Sequence, residues 1–137
     1  MAGDTLVAEA QGYPVSEINR EEKEALDKSI NTELYVRHYF SDIPILAKIA
    51  YCESRFRQFN KKGAILRGEA NTYDVGVMQI NELYHGKSAR ERGENLNTLE
   101  GNLSHARYLY EKEGARPWMA SSPCWAKFTQ SEIAKAN

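Results

Sequence analysis

Apolar residues recur along much of this chain at the spacing of one helix face. The clearest case lies within residues 43–54, where four positions follow the i, i+3, i+4, i+7 pattern: Leu46, Ile49, Ala50 and Glu53. Asp42 precedes this stripe and can accept hydrogen bonds from the free N–H groups of a first helical turn, where Pro44 needs no donor. The pattern predicts a helix over residues 43–54, capped by Asp42, with Glu53 at the end of the apolar stripe.

Helical patterns also precede this segment. Glu and Lys dominate residues 17–30, and Leu26 and Ile30 lie on one side, which indicates an exposed helix with a solvated charged face. A second, shorter helix is predicted over residues 32–40.

The middle of the chain combines a long loop with a further helix. Gly, Asn and Asp punctuate residues 63–74, and residues 64–67 within this loop have the composition of a short strand or β-turn segment. The next helix is predicted over residues 81–92, with Leu83 and Tyr84 turned inward.

The last long helix begins with a capping-box pattern. Asn97 is placed to accept a hydrogen bond from the first turn, and Glu100 follows at the third helical position. The helix is predicted over residues 97–113, with Gly114 as its C-terminal stop. Short turns or single-turn helices are expected over residues 117–125.

Length and composition agree with a single, mainly α domain. The 137 residues, 42% hydrophobic and 27% charged, are typical of a globular protein that buries one core. We predict one domain over residues 17–137. Gly3, Gly12 and Pro14 interrupt any periodic pattern before it, so residues 1–16 are predicted to be a flexible arm.

Charge and hydropathy argue against several classes of function. Lys plus Arg (18) nearly cancels Asp plus Glu (19), so the net charge of -1 leaves no excess of positive charge to hold nucleic acid, and we expect no nucleic-acid partner. No apolar stretch approaches the roughly 20 residues of a transmembrane helix. The histidines lack metal-ligand spacing, so we expect no metal or cofactor, and His38 and His85 are expected at the surface or at helix ends.

The two cysteines, Cys52 and Cys124, are far apart and lie outside any zinc-binding spacing. The preferred interpretation is a single disulfide that closes a loop of about 70 residues and stabilises the fold by about 4 kcal/mol. It would imply an oxidising compartment. The alternative is a pair of buried, unpaired thiols, since free cysteine often packs as a small hydrophobic residue. The first residues lack the basic and apolar regions of a secretory signal, which is either absent or removed.

Three short blocks occur in a fixed order along the chain. They are Cys52-Glu53-Ser54-Arg55-Phe56, then Gly76-Val77-Met78-Gln79-Ile80, and finally Asn102 with Ala106, Tyr108 and Leu109. Together they resemble the soluble lytic transglycosylase (SLT) domain family, which is related to the goose-type lysozymes. The resemblance covers roughly residues 43–125 and implies a lysozyme-like helical fold.

The resemblance also implies an activity, cleavage of the β-1,4 bond between MurNAc and GlcNAc in peptidoglycan, with Glu53 as catalytic acid. A carboxyl group sheltered from water can keep its proton near neutral pH and deliver it to a leaving group. Gly76, Met78 and Gln79 would line the cleft and contact the glycan, and Tyr108 would reach the glycan or Glu53. For Met78 and Tyr108 a purely packing role is the alternative.

The chain departs from the family pattern near its end. Many members carry an Ala-Tyr-Asn-Ala-Gly stretch, whose tyrosine hydrogen-bonds the catalytic glutamate, where this chain has Pro-Trp-Met-Ala-Ser-Ser-Pro-Cys-Trp over residues 117–125. Either Ser121 or Ser122 takes that hydrogen bond, or no residue does. A Cys52–Cys124 bridge would hold this divergent segment beside the catalytic helix.

Three functions stay open on these residues. The preferred one is transglycosylation, which leaves a 1,6-anhydro ring on MurNAc. Asp74, close to Gly76, would instead position a water for hydrolysis, unless it is simply a turn residue. The third is a wall-binding module without turnover. In each case we expect a monomer whose partner is a peptidoglycan strand, in the periplasm, in the cell envelope or outside the cell.

Overall fold

The computed structural model describes residues 19–127. The chain divides into two compact units, Met1–Asn31 and Thr32–Asn137. In the first unit, the described residues from Arg20 onward are helical and exposed. The arm predicted over residues 1–16 lies outside the described residues.

The first helix, α1, is continuous over Arg20–Tyr39. The prediction of two helices, over residues 17–30 and 32–40, is therefore wrong. Asn31 lies between the two predicted segments, and one asparagine inside a helix costs only about 0.6 kcal/mol relative to alanine, so the helix continues through it. The helix is exposed over residues 20–31, as the sequence indicated, and this exposure extends to Leu26 and Ile30.

Helix α2 spans Pro44–Ser54. Its predicted apolar face is fully buried, at Leu46, Ile49 and Ala50. The N-cap residue is Ile43, with no side-chain cap, so the predicted Asp42 cap is wrong. The Asp42 carboxylate instead accepts two hydrogen bonds from the Arg107 guanidinium, at 2.7 and 3.0 Å. A bidentate, charge-assisted pair is stronger than a single cap bond to a backbone N–H.

A small hairpin follows the long loop. Strands β1 (Asp74–Val75) and β2 (Ile80–Asn81) pair in antiparallel fashion, with residues 76–79 as their connection. The segment predicted as a short strand or β-turn, residues 64–67, forms only isolated bridges, from Ile65 to Phe59 and from Arg67 to Val75. These bridges tie the long loop to the hairpin.

Helix α3 spans Glu82–Glu91 and is capped by Asn81, whose side chain accepts the N–H groups of Leu83 and Tyr84. The prediction that Leu83 and Tyr84 face inward is wrong, because they are 64% and 78% exposed. The helix buries Gly86 and Ala89 instead. Small residues on the inner face let α3 approach its neighbours closely, which leaves its large apolar residues on the outside.

Helix α4 spans Leu99–Glu113. Its cap is Thr98, whose hydroxyl accepts the Gly101 N–H at 3.0 Å, so the predicted Asn97 cap is wrong by one residue. Thr98 is one position closer to the helix, and its oxygen therefore meets an N–H group of the first turn. Gly114 ends the helix, as predicted, with a φ of 65°.

The C-terminal segment continues with a 3-10 helix, Arg116–Ser121, and residues 122–127 are helical. Short turns or single-turn helices were expected over residues 117–125, and the structure agrees. Cys124 forms a disulfide with Cys52 of α2, 72 positions away. The predicted disulfide is confirmed, and it is compatible with a periplasmic or extracellular location.

The core of the second unit collects side chains from α2, the hairpin, α4 and the 3-10 helix. Fully buried examples are Leu46, Ile49, Val75, Val77, Met78, Leu103 and Ala106. Over residues 19–127 the architecture is mainly helical, as the sequence predicted, and its small two-stranded sheet lies at residues 74–81 and not at the predicted 64–67. Within residues 19–127, no helix combines the length and apolar character that crossing a membrane requires.

Candidate active site

Glu53 lies in the last turn of α2, at the edge of a cleft of about 100 Å³. The other residues that line the cleft come from the hairpin, α3, α4 and the C-terminal segment: Asp74, Gln79, Ile80, Asn81, His85, Leu109, Pro117, Trp118 and Ala120. No lysine or arginine lines the described cleft. A carboxyl group at this position therefore has no full positive charge beside it.

The pKa of Glu53 is raised from its ordinary value. Burial is the main cause, because a half-buried carboxylate loses hydration. A hydrogen bond from Ser121 acts in the opposite direction, and the negative charge of Asp74 raises the pKa further. Burial and the like charge outweigh the hydrogen bond, so Glu53 holds its proton to a higher pH than an exposed glutamate does.

Asp74 faces the same cleft from strand β1. Burial raises its pKa, while a hydrogen bond from the Asn81 side-chain amide, at 3.2 Å, lowers it in part. Asn81 is the partner of Asp74 across the hairpin, so the pairing of β1 with β2 fixes this contact. The cleft thus brings together two carboxyl groups that are 21 positions apart in the sequence.

The turn after β1 requires a glycine. Gly76 has a φ of 76°, a conformation that side-chain-bearing residues rarely adopt. A β-carbon there would collide with the Asn102 side-chain amide and would lie 2.6 Å from Gln58 Oε1. The close approach of these two amides explains the glycine of the second sequence block.

Three buried polar side chains hold the 75–79 turn in place. Ser54 Oγ donates to the Val77 carbonyl at 2.7 Å, Gln58 Oε1 accepts the Val77 N–H at 2.7 Å, and Asn102 Oδ1 accepts the Met78 N–H at 2.9 Å. Asn102 also donates to the Val75 carbonyl at 3.0 Å. The three blocks of the sequence therefore meet in space, since Ser54 follows Glu53 and Asn102 opens the last block.

The C-terminal segment contributes Trp118 to the wall of the cleft, whereas Ser121 is not among the lining residues. Trp118 is buried and its Nε1 donates to the Met78 carbonyl at 2.8 Å. Ser121 Oγ donates to the Trp118 carbonyl at 3.0 Å, and the same hydroxyl partly lowers the pKa of Glu53. Of the two serines considered beside Glu53, Ser121 is the one whose hydroxyl acts on the pKa of that carboxyl. The nearby Cys52–Cys124 disulfide ties this segment to the end of α2.

Met78 and Gln79 occupy different positions relative to the cleft. Met78 has no exposed surface and belongs to the core. Gln79 lines the cleft, adopts a left-handed φ of 50°, and donates from Nε2 to the Gly76 carbonyl at 2.9 Å. Its side-chain oxygen lies beside Gly68, where an added β-carbon would be 3.0 Å away.

Tyr108 lies outside the set of residues that line the cleft. Its ring packs beneath the Arg92 guanidinium, 3.9 Å from the ring centroid, and 5.4 Å from the His105 ring centroid. These contacts place it on the side of α4 that faces Arg92, in a packing environment.

His85 was expected at the surface or at a helix end, yet it lines the cleft and is half-buried. Burial lowers its pKa, and the neighbouring His105 lowers it further, against a partial opposite effect of Glu113. The signal that could have found it is spacing, because His85 follows the cap residue Asn81 by four positions and shares its side of α3. Pro117 and Ala120 were also missed as lining residues.

Another acidic residue, Glu94, has an environment opposite to that of Glu53. Burial opposes its ionisation, but hydrogen bonds from Ser104, His105 and Arg92 outweigh burial and lower its pKa. His105 Nδ1 lies 3.0 Å from Glu94 Oε1, and Arg92 Nε lies 2.8 Å from the same oxygen. Glu94 is therefore a structural carboxylate, held ionised by its donors.

The described residues contain no group of three or more His, Cys, Asp or Glu side chains placed to hold a metal ion. The chemistry available in the cleft is proton transfer by Glu53, with Asp74 and His85 nearby. No protein-family model, curated protein or solved structure matches this chain.

Proposed function

We propose that this protein cleaves the β-1,4 bond between MurNAc and GlcNAc in peptidoglycan, with Glu53 as general acid. The observation that carries the proposal is the half-buried Glu53 carboxyl, whose pKa is raised in a cleft without a lysine or arginine. A carboxylic acid in such a setting is suited to protonate a leaving oxygen near neutral pH.

The choice of a glycan substrate is supported by the resemblance of the three sequence blocks to the SLT family, and by the polarity of the cleft. Gln79 and Asn81 offer neutral amide groups, and Trp118 and Leu109 offer apolar surface. Amides and apolar faces are what an uncharged sugar ring can use. The proposal includes a lysozyme-like fold, monomeric state and a location in the periplasm, cell envelope or outside the cell.

The reaction would run as two proton transfers through one carboxyl group. Glu53 gives its proton to the glycosidic oxygen as the bond from C1 of MurNAc breaks, and the substrate's own N-acetyl group stabilises the cation. The Glu53 carboxylate then takes the proton of the C6 hydroxyl as that oxygen bonds to C1. The products are a 1,6-anhydro-MurNAc end and a free GlcNAc hydroxyl, and Glu53 regains its proton.

A hydrolytic reaction is the second candidate, and Asp74 is the observation that favours it. Asp74 lines the same cleft and its charge acts on Glu53. Glycosidases that use water need a second carboxylate as nucleophile or base. In that case a water, not the C6 hydroxyl, would attack C1, and the product would carry a reducing end.

Turnover of purified peptidoglycan, followed by mass spectrometry, separates these possibilities. Wild type should release anhydro ends, and Glu53→Gln should lower turnover by about 10²–10⁴-fold, because it removes the acid while keeping the shape. Glu111→Gln, on the exposed surface of α4, is the matched control and should keep wild-type turnover. Unchanged turnover in Glu53→Gln would refute the acid role.

Asp74→Asn tests the second candidate with the same substrate. If Asp74 positions water, wild type gives reducing ends and the substitution removes them. If it does not, anhydro ends persist in the variant, and the loss of a like charge lowers the pKa of Glu53. Binding of the glycan by wild type with no product of either kind would identify a wall-binding module.

A further inference from the structure

A second and larger cavity, about 470 Å³, lies beside α3. The residues that matter in its wall are Glu82, Gly86, Arg90, Glu94, Asn95 and Asn97. Gly86 contributes no side chain, although a glycine inside a helix costs about 1 kcal/mol relative to alanine. A β-carbon at Gly86 would lie 3.1 Å from Arg90 Nη1, so the glycine leaves room for the Arg90 guanidinium along the cavity wall.

The hydrogen-bonding state of the wall favours a negatively charged occupant. Glu82 is already paired with Arg67 at 2.8 Å, and both Glu94 oxygens already have donors. The Arg90 guanidinium, by contrast, makes no hydrogen bond or ion pair with any residue between 19 and 127. The partners of Glu82 and Glu94 thus neutralise these two carboxylates. The Arg90 guanidinium is the charged group of the cavity wall that has no partner among the described residues.

Neighbouring amides add neutral donors. Asn95 uses its side-chain oxygen to accept the Asn97 N–H at 2.9 Å, which leaves its NH₂ group for a ligand. The Asn97 side chain is exposed at the cavity. A planar guanidinium with amide NH₂ groups beside it is a set of donors that matches a carboxylate.

The position of this cavity relative to Glu53 follows from the geometry of α3. Asn81 and His85 line the Glu53 cleft, while Glu82 and Gly86, each one residue later, line the second cavity. One residue corresponds to a rotation of about 100° around a helix, so the two openings lie on adjacent faces of α3. A helix with its side chains is about 10 Å across, and an extended peptide of three or four residues spans about that distance.

We propose that this cavity is a subsite for a carboxylate on the peptide that branches from the glycan strand, with Arg90 as its anchor. The inference rests on the proposed function, because peptidoglycan carries such peptides on its MurNAc units. The subsite would make the protein prefer strands that carry peptides. Such a strand would bind at two faces of α3, whereas a strand without peptides would bind at one.

Kinetics with two forms of the substrate test this. On peptide-bearing peptidoglycan strands, Arg90→Gln should raise KM about tenfold and leave kcat unchanged, since it removes a charge-assisted contact remote from the reacting bond. On strands stripped of peptide by an amidase, the same variant should match wild type. The control is Lys87→Gln, an exposed cation of the same helix whose side chain is 84% exposed, and it should change neither substrate. An equal effect on both substrates, or none on either, overturns the subsite.

A binding measurement separates this inference from the fate of the proposed function. The probe is an acetylated tripeptide with free carboxylates, compared with the same peptide fully amidated, in the Glu53→Gln background. The free acid should shift the backbone amide resonances of residues 86–97 and bind about tenfold more weakly when Arg90→Gln is added, and the amidated peptide should not bind.

The combined outcomes are decisive. Absence of turnover in wild type with Arg90-dependent peptide binding would reject the proposed activity and keep the carboxylate site. Turnover that depends on Glu53 but no peptide binding would keep the activity and reject the site. Saturation by acetate at the same concentration as the peptide would overturn the assignment to a peptide carboxylate.

Discussion

Glu53 and Glu94 are both carboxyl groups withdrawn from solvent, but their pKa values move in opposite directions. Around Glu53 the effect of burial on the pKa dominates, since the Ser121 hydroxyl offsets it only in part and the charge of Asp74 adds to it. Around Glu94, Arg92, Ser104 and His105 supply donors that more than offset burial.

The contrast indicates that burial alone does not decide what a carboxyl group can do. Desolvation is unfavourable to the charged form in both places, and the number and charge of the donors set the outcome. A carboxylate with several donors is a structural element that stabilises the fold. A carboxyl group with few donors, beside an opening, can hold and release a proton.

The largest effect is expected from removing the structural carboxylate. Glu94→Ala would leave the fully buried His105 ring, Ser104 and Arg92 without their acceptor. Breaking such a set should lower the free energy of unfolding by about 3–5 kcal/mol, measured by urea denaturation at pH 7. Glu94→Gln keeps an acceptor oxygen, so its free energy of unfolding should fall clearly less than that of Glu94→Ala. A loss below about 1 kcal/mol in Glu94→Ala would contradict this account.

The difference in unfolding free energy between wild type and Glu94→Gln should depend on pH. The pKa of Glu94 is lowered by folding, so its contribution to stability is present above the unfolded pKa of about 4.3 and disappears as the pH falls through the folded value. Wild type and Glu94→Gln should therefore converge in stability in strongly acidic solution.

The second-largest effect is expected from placing a cation beside Glu53, as Arg92 lies beside Glu94. Ala120 is exposed and lines the cleft, so Ala120→Lys would add an ammonium group near Glu53. A cation at this position lowers the pKa of a carboxyl group, and glycan cleavage at pH 7 should fall about 10–100-fold, with the pH optimum moved to lower pH. Ala120→Met, of similar length without charge, should keep the wild-type optimum. An equal loss in both variants would mean that the side chain simply blocks the cleft.

The smallest expected effect is a gain of stability when Glu53 is neutralised. Folding raises the pKa of Glu53, so stability is lost as the pH rises through the unfolded and then the folded value. Glu53→Gln should raise the unfolding free energy by about 1 kcal/mol and Tm by about 4 °C at pH 7. The gain should vanish near pH 3.5, where the side chain of residue 53 is uncharged in wild type as well as in the variant. The control Glu111→Gln should show no such pH-dependent gain. A gain of equal size at both pH values would point to packing as its cause.

Several elements of the fold could be predicted from the sequence because their causes are local. The buried stripe of α2, the stop at Gly114 and the mainly helical class follow from helical periodicity and from a glycine's access to positive φ. Glu53 at the end of an apolar stripe was visible for the same reason. Where local signals were ambiguous the predictions were wrong: one helix was divided in two at Asn31, and the cap of α4 was placed at Asn97 and not at Thr98.

Contacts between distant parts of the chain decided the rest. Asp42 was expected to cap a helix and instead pairs with Arg107, 65 positions away. The spacing of His85 from Asn81 places both on one side of α3, but only the packing of α3 turns that side toward the cleft. The pKa of Glu53 likewise depends on Ser121 and Asp74, and the pKa of Glu94 depends on His105. The sequence determined where the carboxyl groups occur along the helices and loops, and only the tertiary structure decided how many donors each one meets, because a pKa depends on distances in space.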